Sequence, residues 1–328
     1  MNRSIVIENI NIPSRFFLAP MAGYTDYVFR RLSRRFGAGL LITELVSAAA
    51  LARRVKKTYR YMEHKEDEYP ISLQLFGANE DDYKKAIEIT DLSGFSFIDI
   101  NMGCPTKKVV KNNGGAGLLS DTDKMVSILK AVKSVSKLPV SVKIRLGLKR
   151  GEGGEIERAL ALKENGACFL TLHGRYASDL YRGTADWEAI ARVKEALGKN
   201  YILIGNGDIK NKEDALKAFK ISNSDGIMVG RAAIGNPWIF RELNTIFDDN
   251  DNYNNKINEN DNLINIMKEH INGCCELYGE ISGIHFMRKF IMKYLTGYKM
   301  ENKIELMKCE SKDELFTMLD NIIKNDLQ

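Results

Sequence analysis

The chain has 328 residues, 44% of them hydrophobic and 28% charged, with a formal net charge of +5. This is the composition of a globular protein with room for one large domain, or one large and one small. No run approaches the ~20 apolar residues of a membrane span, and the polar start MNRSIVIENIN lacks the apolar core of a signal peptide, so a cytoplasmic protein without membrane attachment is expected.

Short β-branched apolar runs recur along the chain, each followed by a polar or glycine-bearing turn and then by helical periodicity. The runs are RFFLAP (15–20), LLITELV (40–46), ISLQLF (71–76), FSFIDIN (95–101), LPVSVKIR (138–145), CFLTLHG (168–174), YILIGNG (201–207) and DGIMVGR (225–231). Amphipathic helices are predicted between them over 26–36, 81–92, 123–135, 155–166, 187–197 and 212–220, with the connection after the second run the least regular. Eight strands alternating with helices in about 235 residues match a closed (β/α)₈ TIM barrel, an α/β fold of typically ~250 residues. A doubly wound open sheet is the rival, but the first strand-to-helix turn, APMAGYTD, carries no dinucleotide glycine fingerprint.

The barrel is expected over residues 1–247. DDNDNYNNKINENDN (248–262) is rich in Asn and Asp and predicts a polar linker or loop. Residues 263–328 predict an all-helical C-terminal domain with helices over 263–279, 285–295 and 311–324, the last opened by a capping box of Ser311 and Glu314.

The five cysteines are odd in number and, apart from the adjacent Cys274 and Cys275, scattered, which makes them poor candidates for a disulfide framework, and reduced thiols are expected. The four histidines, at 64, 173, 270 and 285, show no two-histidine helical spacing, and no protein-bound metal is expected. Positive charge is concentrated in RRVKKTYR (53–60) and in residues 281–299, which hold Arg288, Lys289, Lys293 and Lys299 without an acid. Tyrosines 59, 61, 294 and 298 are interleaved with these runs, a pattern that suits a nucleic-acid surface.

In a (β/α)₈ barrel the chemistry lies at the C-terminal ends of the strands. Those ends read Pro20 and Met21, Glu44, Gln74, Asn101 and Cys104, Lys143 and Arg145, His173 and Arg175, Asn206 and Asp208, Gly230 and Arg231. Lys143 and His173 lie inside apolar strand sequence, where a cation needs a partner, and a bound anionic ligand would supply one. The turns IGNGDI and MVGRAAIGNP open helices after the seventh and eighth strands, so backbone N–H groups and Arg231 can face a phosphate there.

APMAGYTDYVFR, DINMGCPTKKVV, VSVKIRLG, TLHGRYASDLYRGTADWEAI, IGNGDI and DGIMVGRAAIGNPWIF together resemble the signature segments of the bacterial tRNA-dihydrouridine synthases, most of all their DusB-like branch. The resemblance implies an FMN-containing barrel and a helical tRNA-binding domain, with NADPH as electron donor and tRNA as substrate; a monomer is the default expectation. It implies Pro20, Met21 and Ala22 along the flavin ring, Gln74 and Lys143 at its rim, and His173 beside it. Asn206, Gly207, Asp208, Gly230 and Arg231 would hold the phosphate, and Cys104 would be the proton donor. Asn101, Lys107, Lys108 and Arg175 would position the base and its phosphates, and Arg288, Lys289 and Lys293 would meet tRNA. The sequence departs from the family at GAGLL (115–119), where GSALL is usual.

Reducing the 5,6 double bond of uracil needs hydride at carbon 6 and a proton at carbon 5. No side chain donates hydride, so reduced flavin must. A thiol, with an ordinary pKa of about 8.5, remains protonated near neutrality yet can release its proton to a developing enolate. Three other readings remain open: an aldolase with Lys143 as Schiff-base lysine, a flavin barrel acting on free pyrimidines, and a tRNA-binding factor with a vestigial site.

Overall fold

The structure, a computed structural model, describes residues 2–247, 262–298 and 303–326. Eight parallel strands are present: β1 (Phe16–Leu18), β2 (Leu41–Ile42), β3 (Ile71–Phe76), β4 (Phe97–Met102), β5 (Val140–Arg145), β6 (Leu170–His173), β7 (Leu203–Asn206) and β8 (Gly226–Val229). They follow one another around a sheet in the order β1-β8-β7-β6-β5-β4-β3-β2. The ring is closed between β1 and β2, where Gly39 N donates to Phe16 O at 2.6 Å and Leu18 N to Leu40 O at 3.0 Å. The expected TIM barrel is therefore the observed fold.

The connecting helices are α1 (Tyr27–Arg35), α2 (Ala48–Ala52), α3 (Glu80–Ile89), α4 (Thr122–Val135), α5 (Glu155–Glu164), α6 (Trp187–Leu197), α7 (Lys212–Ser222) and α8 (Ile239–Asn244). Several start on an Asp or Asn whose side chain accepts an N–H of the first turn, as Asp26, Asn79, Asp121, Asp186 and Asn211 do. After β2 the crossover is broken into α2 and a second short helix, Lys56–Tyr59, because RRVKK supplies charge but no apolar stripe to bury.

A feature absent from the sequence reading is an N-terminal hairpin, Ile5–Ile7 with Ile10–Ile12, turning at Glu8 and Asn9 in left-handed conformation. Its Ile5, Ile7 and Ile12 pack against Phe17, Leu40, Phe97, Phe169 and Met228 and close the bottom of the barrel. The interior is thus apolar at the N-terminal ends of the strands. Toward the C-terminal ends the inward side chains turn polar at every second residue, as the two-residue period of a strand requires: Asp99 and Asn101 on β4, then Ser141, Lys143 and Arg145 on β5.

Four more helices follow: α9 (Leu263–Tyr278), α10 (Glu280–Tyr294), α11 (Lys303–Lys308) and α12 (Lys312–Asp326). All but Asn262 of the expected polar linker lies outside the described residues. The helix expected over 285–295 begins already at Glu280; Gly283 reads as a breaker, but α10 crosses α9 so closely there that a Cβ would lie 2.6 Å from Cys274 O. Ser311 Oγ accepts from Glu314 N at 3.5 Å, whereas the Glu314 carboxylate lies 3.5 Å from Cys309 Sγ instead of closing the box. The tail shares the barrel's outer core, with Phe29 of α1 stacked on His270 of α9 at 5.7 Å and tilted against Phe290 of α10 at 5.3 Å.

Candidate active site at the barrel mouth

Cys104 lies in the loop after β4, partly exposed, and its position is set from inside the barrel. Asn101 Oδ1 accepts the Gly103 N–H at 3.2 Å and the Cys104 N–H at 2.9 Å, and Ala116 N donates to Cys104 O at 3.0 Å. Asn101 is itself held: its Nδ2 donates to Gln74 Oε1 at 3.0 Å, Gln74 Nε2 to Asp99 Oδ2 at 2.6 Å, and Ser141 Oγ to Asp99 Oδ1 at 2.6 Å. This buried chain crosses β3, β4 and β5 and ends at the thiol loop. Burial raises the Asp99 carboxyl above the usual carboxylate range, against its hydrogen bonds with Ser141 and Gln74. The Cys104 sulfur is 3.2 Å from the hydroxyl of Thr106, which is exposed.

Gly103 and Gly115 frame this loop. A Cβ on Gly115, whose φ is +56°, would meet Cys104 O at 2.7 Å, so the first position of GAGLL must stay glycine for the thiol loop to close against it. Here Gly115 opens that segment and Ala116 supplies the N–H.

Beside the thiol loop stand cations. Lys143 Nζ donates to Asn206 Oδ1 at 3.2 Å, and Asn206 Nδ2 to Met228 O at 2.8 Å, tying β5, β7 and β8 together. Burial, and then Arg145, push the Lys143 ammonium down to about 8. His173 is buried with Lys143, Arg145, Arg175 and Arg231 around it, and burial first and these cations second hold its pKa well below the ordinary value. Its imidazole is therefore neutral, with Nε2 facing an Arg175 nitrogen at 3.3 Å. The carboxylate among these cations is Asp208, which accepts from Arg175 at 2.6 and 2.8 Å and from Arg231 at 3.2 Å. Positive charge is in excess, which suits an anionic ligand.

Several residues named from the sequence lie around the barrel mouth. Pro20, Met21 and Ala22 form the rim after β1, and Gly207, Gly230 and Arg231 lie in the turns after β7 and β8, with the Arg231 side chain 59% exposed. A Cβ added to Gly230 would lie 3.7 Å from Met21 Sδ, so these two turns adjoin across the mouth. Lys107, Lys108 and Lys293 are exposed.

Others are engaged within the protein. Gln74, expected at a ring's rim, has no exposed surface and is a link in the internal chain. The Asp208 side chain, expected to hold phosphate, is a carboxylate that would repel it and instead orients Arg175 and Arg231. Arg175, expected at a base or phosphate, has a side chain only 1% exposed and is spent on Asp208, Gly183 O and Arg182 O. Arg288 is half-buried and donates to Cys309 O at 3.3 Å. Lys289 reaches from the tail to the rim loop after β1, where its Nζ donates to Gly23 O.

Two mouth residues had no role in the sequence reading. Arg145 donates to Tyr176 O and Leu180 O, and its guanidinium lies 5.4 Å from the Tyr181 ring, which Arg231 approaches at the same distance. Tyr181 is 54% exposed, an aromatic between two arginines at the open face. Arg145 was visible as a strand end; Tyr181 lies in a loop where no periodicity marks it.

Between the rim and the tail lies a cavity of about 590 Å³ lined by Glu44, Arg60, Tyr61, Phe76, Lys108 and Tyr278 among others. Arg60 lies 5.6 Å from the Tyr61 ring and 5.2 Å from that of Tyr278. The basic run 53–60 thus reaches the same mouth as the thiol loop. Below it, Asp26, His270 and Cys274 bring potential metal-ligating atoms within 4.8 Å of one another. Asp26 takes the Phe29 N–H at 3.0 Å and the Tyr278 hydroxyl at 2.9 Å, and His270 Nδ1 meets the Tyr294 hydroxyl at 3.0 Å, while His270 Nε2 is buried with no hydrogen-bond partner among the described residues. They serve as a joint between α1 and the tail.

A family model described as dihydrouridine synthase (Dus) matches residues 17–327. The chain is 36% identical over 293 residues to tRNA-dihydrouridine synthase B of Pasteurella multocida, covering 89% of this chain and 86% of that protein. It is 36% identical over 301 residues to a probable tRNA-dihydrouridine synthase of Rickettsia conorii (89% and 88%). It is 35% identical over 285 residues to tRNA-dihydrouridine synthase B of Pseudomonas aeruginosa (87% and 85%). Among solved structures, a morphinone reductase variant in complex with tetrahydroNAD aligns with a TM-score of 0.52 at 14% identity, over 74% of this chain and 90% of that one, a likeness of fold.

Proposed function

The chain belongs to the dihydrouridine synthase family, and from that premise we infer how its barrel mouth works and with which cofactor. It is a tRNA-dihydrouridine synthase of the B-type branch, an oxidoreductase that reduces the 5,6 double bond of uridines in tRNA with NAD(P)H. The observation that carries the assignment of roles is the chain Ser141–Asp99–Gln74–Asn101, which holds the Cys104 thiol loop over a mouth rich in cations.

The cofactor is FMN, with NADPH as its reductant. The residues suit it: an anionic group is met by Lys143 and Arg231, the Gly230 turn adjoins Met21, where a Cβ would lie 3.7 Å from its sulfur, and neutral His173 is buried among the same cations. Pro20, Met21 and Ala22 would flank the ring, Lys143 and His173 its edge, and the backbone turns at Asn206–Asp208 and Gly230–Arg231 the phosphate. When bound, the flavin supplies the hydride for carbon 6 of uracil.

The remaining work falls to the protein. Cys104 gives its proton to carbon 5, and Thr106, 3.2 Å from the sulfur and exposed, connects the thiol with solvent for reprotonation. Asn101 fixes the thiol through the loop amides. Lys143 places an ammonium where negative charge develops. Because hydride and proton must arrive in one pocket, the target base leaves the RNA stack. Tyr181, with Arg145 and Arg231 beside it, offers a ring for that base.

Lys107, Lys108, Lys293 and the basic run 53–60 supply the phosphate contacts to tRNA, with residues 1–247 as the cofactor-bearing barrel and 263–328 as the helical unit facing RNA. We place the protein in the cytoplasm as a monomer. The test is to incubate the purified protein with NADPH and an unmodified tRNA transcript and quantify dihydrouridine by nucleoside mass spectrometry. The expected result is a yellow protein that forms dihydrouridine, and a Cys104→Ala variant that stays yellow and loses most turnover. Wild-type turnover by Cys104→Ala would falsify the assignment of the proton donor, and a colourless wild type would remove the flavin.

A further inference from the structure

Gly23, in the rim loop after β1, is gripped on both sides. Its N–H donates to the carboxylate of Glu44, at the end of the second strand run, and its carbonyl accepts from the Lys289 ammonium, which comes from α10 of the tail. Lys289 Nζ also lies 3.6 Å from the centre of the Phe286 ring and 4.6 Å from that of Tyr24. The lysine is therefore held half-buried at the joint, its ammonium engaged by Gly23 O and the two rings. Gly23 stands in left-handed conformation, with φ +75°, and a Cβ there would lie 3.5 Å from Lys289 Nζ, so the loop must pass close under the ammonium.

The same loop carries Met21. Its turn is tight, with Tyr24 N and Thr25 N both donating to Met21 O and Thr25 Oγ1 accepting from Met21 N. Movement of Gly23 is thereby transmitted to Met21, whose sulfur lies beside Gly230 across the mouth.

We propose that Lys289 is a positioning residue: it clasps the tail onto the rim loop and, through Gly23, sets Met21 against the cofactor site. The tail thus completes the flavin site as well as meeting tRNA. The consequence for flavin rests on the cofactor reading above; the clasp itself does not. Substitution of Lys289 acts on the rim loop and the flavin and leaves tRNA affinity in place, the reverse of what a phosphate-contacting lysine does.

The experiment compares wild type, Lys289→Met and Lys289→Gln as full-length proteins. Hydrogen exchange over residues 20–26 reads the clasp without reference to any cofactor. It should be about tenfold faster in Lys289→Met, the scale expected for loss of a charged hydrogen bond, and partly restored in Lys289→Gln, which keeps a donor for Gly23 O. Flavin retention and the visible spectrum of bound flavin should change in Lys289→Met, while tRNA affinity by filter binding and its salt dependence stay within about twofold of wild type. Unchanged exchange over 20–26 overturns the clasp, as does a wild-type flavin spectrum combined with weakened tRNA binding. A wild type that binds no flavin overturns the cofactor reading, with exchange still deciding the clasp. If Lys289→Met fails to fold, the same comparison of Lys289→Gln with wild type decides.

Discussion

Asn101 Oδ1 accepts the backbone N–H of Cys104 at 2.9 Å, so the loop bearing the one thiol at the mouth is anchored by a side chain that points up from within the barrel. An acid that must meet carbon 5 of a base gains from such anchoring, because small misplacements of a reacting group cost large factors in rate. Replacing Asn101 by Ala should lower kcat by about 10- to 100-fold with flavin retained, since the loop amides lose their acceptor. Steady-state kinetics decides the matter: a variant that changes only KM for tRNA marks Asn101 as a contact to the base instead.

Asp208 and Arg175 form a pair in which the arginine side chain is 1% exposed. Asp208→Ala strands that charge, and the expected loss is about 3 kcal/mol of stability, read by denaturant unfolding. Replacing both, with Arg175→Met added, should recover part of the loss. A single variant costing less than about 1 kcal/mol would contradict the pairing.

Lys107 and Lys108 project from the short helix that follows the thiol loop. Each phosphate contact releases roughly 0.7 to 0.9 of a counterion, so Lys107→Ala with Lys108→Ala should flatten the slope of log affinity against log salt by about 1.5. A slope equal to that of wild type would remove both lysines from the tRNA interface.

His270 is fully buried, and burial, with Lys289 nearby, pushes its pKa down to about 3. The unfolded chain takes up a proton on this side chain below the ordinary pKa of about 6.5 while the native state refuses it until about 3, so stability falls as pH falls through that window. Between pH 7 and pH 5 the loss is about 2 kcal/mol for a shift of this size. Asp26, whose carboxyl burial raises, opposes it, because the native state then binds the extra proton. His270→Gln isolates the histidine: the stability difference between wild type and variant should shrink by that amount from pH 7 to pH 5, and a pH-independent difference would show that His270 is not the titrating group.

Much of the mouth could be read along the chain. The two-residue period that places Asp99 and Asn101, or Lys143 and Arg145, on one strand face is a local property, and so is the order of strands and helices. The helix over 187–197 coincides with its predicted bounds because Asp186 caps it and its apolar residues recur at helical spacing. The hairpin at residues 5–12 escaped because its reason lies elsewhere: its isoleucines are needed by Phe17, Phe97 and Phe169 at the barrel floor. Tyr181 escaped because a loop aromatic acquires meaning only when Arg145 and Arg231 converge on it.

The cations mark the boundary most clearly. Lys107, Arg175 and Lys289 look alike as letters in basic surroundings, yet the first faces solvent, the second is enclosed by Asp208, and the third reaches Gly23 across 266 residues of sequence separation. By itself the sequence determined the barrel, the strand ends and the thiol at one of them, because alternation and helical periodicity act over a few residues. Only the tertiary structure decided which charges meet water and which are consumed inside, because a charge's free energy depends on partners and burial that distant segments supply.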